Sequence, residues 1–158
     1  MPTDTTVNTA EANYLLPKDF LLNFYAAIQG EAEGQDKELK KLFASAYLNR
    51  IGKKEWADSD LNTLLVNTFD AAKLQNNPYR WALSGNFPNK ISEDDFKETI
   101  AAIAPIIKSG KIPYDVEFVM TKKRYKQIKK MSKSKRPLNL DLLKPTVEVG
   151  DFIGLKYK

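Results

Sequence analysis

Glu31 is the residue best placed to do chemistry. It stands in the run Gly30-Glu31-Ala32-Glu33-Gly34, directly after an apolar stretch whose spacing predicts a helix ending at Gly30. The flanking glycines, Gly30 and Gly34, permit close backbone approach by a ligand. A carboxylate at the negative end of a helix, on the rim of a core, is disfavoured in its charged form by the helix dipole and by partial desolvation. A carboxyl held protonated near neutral pH is what general-acid cleavage of a glycosidic bond requires. The same residues also suit a plainer role, a helix terminus carrying an exposed Glu. A helix running half a turn further would bring Glu33 into the acid's place.

Composition narrows the chemistry further. The chain of 158 residues contains no histidine and no cysteine. That excludes a disulfide, a Cys or Cys/His zinc site, and any nucleophile–His catalytic unit. Proton transfer is left to Glu, Asp, Lys or Tyr. With 42% hydrophobic and 28% charged residues, the chain reads as a soluble globular protein with a core of its own.

The elements that must position Glu31 are mostly helical. A first helix begins at Leu16-Pro17 and buries Phe20, Leu21, Phe24 and Ile28. A second, over residues 35–51, puts Leu39, Phe43, Ala46 and Arg50 on one face. A third, over 59–74, carries Leu61, Leu64, Leu65 and Phe69 and starts from Asp58 or Ser59 as cap. Residues 75–90 read as a loop holding Tyr79, Trp81 and Phe87. A fourth helix opens on a capping-box-like Ser92-x-x-Asp95 and is kinked or split by Pro105. Residues 114–120 alternate like a strand, and Gly150-Asp151 closes a hairpin between Val147/Val149 and Leu155/Tyr157. The expected class is mostly α (α+β), with a small C-terminal hairpin or sheet.

Charge is unevenly distributed. Residues 1–121 carry a net −4 and residues 122–158 a net +9. Lys122, Lys123, Arg124, Lys126, Lys129 and Lys130 belong to a basic segment over 122–136 that would attract a polyanion, either a wall polymer or DNA. The same segment also suits a solvated helix whose stripe Tyr125, Ile128 and Met131 packs inward. Residues 1–15 read as a flexible arm and residues 16–158 as one domain. The polar N-terminus lacks the charged and apolar regions of a signal peptide, and no apolar run is long enough to span a bilayer.

The span 27–51 resembles the cell-wall hydrolase family typified by spore-cortex-lytic enzymes. That family carries a helix ending in Gly-Glu-Ala-x-Gly, matched here by Gly30, Glu31, Ala32 and Gly34. A second helix follows with an Ala-rich face ending in Leu-Asn-Arg plus an aliphatic residue, matched by Ala44, Ala46, Leu48, Asn49, Arg50 and Ile51. More loosely, a helix matching 70–74 leads to a Tyr-containing loop, here with Tyr79. The family's terminal Gly-Asn-His-x-Phe pattern is replaced by Gly150-Asp151-Phe152-Ile153-Gly154, so the groove floor differs.

The resemblance implies a lysozyme-like helical domain acting on peptidoglycan glycan strands at the MurNAc–GlcNAc bond, as a lytic transglycosylase or muramidase. It makes Glu31 the single catalytic acid, with no metal or cofactor. Asn49 and Arg50 would hold the substrate's N-acetyl group or brace the 30–34 loop. Tyr79 and Trp81 would stack on sugar rings or plug the core. The absence of a leader suggests a phage-encoded chain made in the cytoplasm, an endolysin or a virion-associated hydrolase. The alternative is a non-catalytic virion or assembly protein on the same scaffold, binding protein or DNA through its basic segment.

Overall fold

The computed structural model describes residues 16–56 and 60–158. The arm expected over 1–15 and the caps expected at Asp58 and Ser59 lie outside the described residues. The architecture is mostly α with a small sheet, seven α-helices and three strands among those residues.

Pro17 precedes a 3-10 turn, Lys18–Phe20, and α1 follows as Leu21–Ala32. The helix does not stop at Gly30. It runs on through Glu31 and turns out at Gly34, whose φ of +76° suits glycine. Gly30 is there for proximity: a Cβ at this position would lie 2.4 Å from Ala71 Cβ and 2.8 Å from Asn76 Oδ1. The next helices therefore sit almost against the α1 backbone.

Asp36 caps α2 (Lys37–Arg50) by accepting from Leu39 N–H. Leu39, Phe43, Ala46 and Arg50 are buried along it, as their spacing predicts. The expected third helix is two. Asp60 caps α3 (Leu61–Thr68), the chain becomes extended at Phe69 (φ −124°, ψ 120°), and α4 restarts as Asp70–Leu74. Phe69 is buried and packs edge-on to Phe43, so burying it turns the chain.

The expected loop over 75–90 contains α5 (Asn77–Ser84), capped by Asn76 with a proline in its first turn. Asn89, not Ser92, caps α6 (Lys90–Ser109), which continues through Pro105 without a break. Pro105 is exposed, so the carbonyl it leaves unpaired can be hydrated.

The sheet is antiparallel in the order β1-β3-β2, with β1 at Phe118–Thr121, β2 at Leu143–Val149 and β3 at Phe152–Tyr157. The hairpin forms at Gly150-Asp151 as its sequence predicts. Between β1 and β2 runs the basic helix α7 (Lys122–Lys130), capped by Thr121. The main core runs from Leu16 to Val116 and joins the helices. Phe152, 5.7 Å from Phe43 between ring centres, packs the sheet onto it. A smaller cluster, Leu143, Ile153 and Leu155, lies on the sheet's other side with Tyr125 and Leu138.

Candidate active site

The last turn of α1 carries Glu31 into a cleft of about 430 Å³ between the helices and the sheet. The helical wall is Phe43, Ala46 and Arg50 from α2, Asn67 and Thr68 from α3, then Phe69 and Asp70. The facing wall is Phe118, Val119 and Met120 of β1, with Trp56 and Leu138. The split between α3 and α4 shapes this cavity. It points the first turn of α4 at Glu31, and Ala71 N–H donates to Glu31 Oε2 at 2.7 Å. The other carboxylate oxygen has no protein hydrogen bond among the described residues, and is the one left to meet a ligand.

Glu31 is half-buried, and burial pushes its carboxyl above the ordinary value. The Ala71 N–H bond opposes that rise, and the neighbouring Asp70 carboxylate adds to it. Asp70 is exposed on the cleft's edge. The result is a carboxyl predisposed to hold its proton in a space bounded by aromatic faces.

Glu33, the other acid considered, has its carboxyl raised too, by partial burial and by Asp95. It is exposed and faces a different groove, lined by Gly34, Asn89, Ile91, Ser92, Asp94, Asp95 and Glu98. Only Glu31 is in the aromatic-walled cleft. Ala32 is fully buried and contributes packing alone.

Asn49 and Arg50 do not brace the 30–34 turn. Asn49 Nδ2 donates to the carbonyls of Tyr114 and Val116, at 2.8 and 2.9 Å. Arg50 Nε donates to Glu117 O at 2.8 Å and its NH1 to Thr68 Oγ1 at 2.9 Å. These bonds tie α2 to the chain entering β1. They hold the two walls of the cleft together and lie far from the 30–34 turn, because Gly34 sits at the opposite end of α2. The Arg50 guanidinium lies 4.0 Å from the Trp56 ring centre and 4.8 Å from that of Phe118. Burial brings its pKa down to about 10, opposed by Glu117 and Tyr157, so it stays cationic at neutral pH.

The 30–34 turn is held by Asp95, which the sequence offered only as part of a helix cap. Asp95 accepts from Gly34 N–H at 2.9 Å, from Gln29 Nε2 at 2.7 Å and from Lys40 Nζ at 2.6 Å. Lys40 is 1% exposed, and Thr99 completes the network by donating to Gln29 Oε1. The Ser-x-x-Asp pattern offered a cap for α6, and that cap comes from Asn89 instead, which frees Asp95 for this role.

Tyr79 and Trp81 are half-buried on α5 and do not line the cleft. Tyr79 packs beside Gly30. Phe87 pairs with Phe96, 5.7 Å between ring centres. The aromatic residues that line the cleft are Trp56 and Phe118 instead, packed on the Arg50 guanidinium and on Tyr157, and only the tertiary fold brings them to the same cavity as Glu31. Among the described residues no cluster of His, Cys, Asp and Glu could hold a metal ion, and no helix is long and apolar enough to cross a membrane. No family model, no curated protein and no solved structure matches the chain.

Proposed function

We propose that this chain cleaves the glycan strands of peptidoglycan on a lysozyme-like scaffold, in the manner of the spore-cortex-lytic hydrolases, with Glu31 as its acid and base. The observation that carries the reading is the position of Glu31: a carboxyl raised by burial, with one oxygen anchored, in a sugar-sized cleft with aromatic walls. Trp56 and Phe118 supply apolar wall area beside which a sugar ring can pack. Asn67, exposed on the cleft's edge, supplies an amide for hydroxyls and acetamido oxygens, and Arg50 a positive charge in the wall.

One carboxyl suffices for the bond change. Protonated Glu31 gives its proton to the glycosidic oxygen as the bond from the MurNAc anomeric carbon breaks. The resulting carboxylate takes the proton of the same sugar's C6 hydroxyl while that oxygen bonds to the anomeric carbon. The acid is regenerated, no water is consumed, and the products are an anhydro end and a free hydroxyl. Arg50, buried and braced, keeps the far wall in register and adds a positive field.

A second reading rests on the Ala71 bond. A carboxylate accepting from the first turn of α4 is a helix cap, and such a bond accounts for Glu31 without catalysis. The chain would then be a non-catalytic scaffold, binding protein or DNA through its basic segment.

Digestion of purified sacculi separates the two. Wild type is expected to release soluble muropeptides, and Glu31→Gln to lose roughly 10²–10⁴ of the rate. Mass spectra showing products one water lighter than hydrolytic ones identify the intramolecular route. A wild-type protein that releases nothing, indistinguishable from Glu31→Gln, decides for the scaffold.

A further inference from the structure

The basic segment is flanked on both sides by residues of the cleft wall. Met120 and Leu138 both line the cavity around Glu31, and the chain between them is the basic segment. Within that segment Lys122 pairs with Glu148 at 2.9 Å and Lys133 with Asp141 at 3.0 Å. Arg136 is spent on the carbonyls of Met131 and Lys129. Lys123, Arg124, Lys126, Lys129, Lys130 and Lys135 are exposed, with no acidic group within 4.0 Å among the described residues.

Packing does not explain these charges. Ile128 is buried and Tyr125 half-buried on the inward stripe of α7, and they seat the helix, with the Lys129 ammonium 5.3 Å from the Tyr125 ring centre. At 1.5 Å per residue, Lys123 and Lys130 stand about 10 Å apart along the axis. Lys123, Lys126 and Lys130 share one face, with Arg124 and Lys129 on its flanks, and like charges so close repel one another unless an anion lies along them. All but one of the six cations is a lysine. Lysine is a mobile point charge, suited to a flexible phosphate chain rather than to the planar, bidentate contacts that arginine makes.

We infer that this ridge binds a phosphodiester polymer attached to the glycan strand, of the teichoic-acid class, while the strand lies in the neighbouring cleft. The inference rests on the glycan reading of that cleft. Nearness decides the source of the phosphate. A substrate-borne polymer needs its site beside the cleft, whereas a nucleic acid would have no reason to lie there.

The test measures binding of the full chain carrying Glu31→Gln, which leaves sacculi intact. Gram-positive sacculi are compared before and after hydrofluoric acid strips the phosphodiester polymer. Native sacculi should bind with steep salt dependence, weakening roughly tenfold or more between about 50 and about 200 mM salt. Stripping should lower affinity at least tenfold and flatten that dependence. The variant Lys123→Gln/Arg124→Gln/Lys126→Gln/Lys130→Gln, which spares the inward stripe, should bind native and stripped sacculi alike. Unchanged binding after stripping overturns the proposal. So does a quadruple variant that loses duplex DNA but keeps native sacculi. The stripping comparison needs no ridge variant, so misfolding cannot blur it. Absence of muropeptide release by wild type would count against the catalytic reading alone, because binding is read separately.

Discussion

Glu31 has two partners with opposite demands. The Ala71 N–H favours its carboxylate, whereas burial and Asp70 favour its acid, and the acid prevails. The folded state thus binds the Glu31 proton more tightly than the unfolded chain does. Stability contributed by this group is lost as pH rises from the ordinary value of 4.5 through the raised one. A Gln side chain still accepts from Ala71 and carries no charge. Glu31→Gln should therefore melt at or above wild type at neutral pH, and the difference should vanish below 4.5. Thermal melts at the two pH values check this; a variant that melts lower at neutral pH would mean the cap outweighs the buried charge. Muropeptide release by wild type should fall on the alkaline side as the acid deprotonates. Gly30 tests the same contact from the other side. A methyl there would come within 2.4 Å of Ala71 Cβ, so Gly30→Ala should destabilise by about 1–3 kcal/mol despite alanine's better helix propensity. It should also slow release more than Gly85→Ala, an αL glycine with open space around it, in assays of equally folded protein.

Among the elements, α1, α2 and α6 converge on Asp95. Burial alone would raise this carboxyl. Lys40, Gly34 and Gln29 together pull it below its ordinary value. Its stabilisation is present above the unfolded value of 3.8 and is lost as pH falls through the folded one. The pair is asymmetric, because Lys40 is 1% exposed and Asp95 is 16% exposed. Asp95→Ala strands a buried ammonium and should cost about 3–5 kcal/mol in urea unfolding. Lys40→Met leaves Asp95 its bonds from Gln29 and Gly34 and fills the same space with apolar atoms. It should cost distinctly less, and equal losses would show that the charges contribute little beyond packing. Either change loosens the turn that ends α1, so both should lower muropeptide release, Asp95→Ala more.

Over the whole molecule, the sequence reported local order well and long-range arrangement poorly. The face of α2, the Gly150-Asp151 hairpin and, of the stripe expected on α7, Tyr125 and Ile128 were readable because each follows from a period or a turn; Met131 falls past the end of that helix, in extended backbone. The break at Phe69 was not, since apolar spacing runs on across it and the turn is imposed by packing against Phe43. Trp56 and Phe118 were missed for the same reason: only the joining of helices and sheet brings them to the same cavity as Glu31. That joining has a mechanical consequence. The helices share one large core, while the sheet closes over the small cluster Leu143, Ile153 and Leu155. Its edge strand β2 is irregular between Pro145 and Val147. The sheet side of the cleft should therefore open before the helical side. In native-state hydrogen exchange, amides of β1, the strand on the cleft wall, should exchange through local opening while those of buried α2 residues such as Phe43 and Tyr47 await global unfolding. Asn49 holds two carbonyls of the chain entering β1, so Asn49→Ala should lower the sheet's opening free energy by about 1–3 kcal/mol. If β1 and α2 exchanged at the same protection, the two walls would move as one body, and a strand could enter the cleft only from its ends.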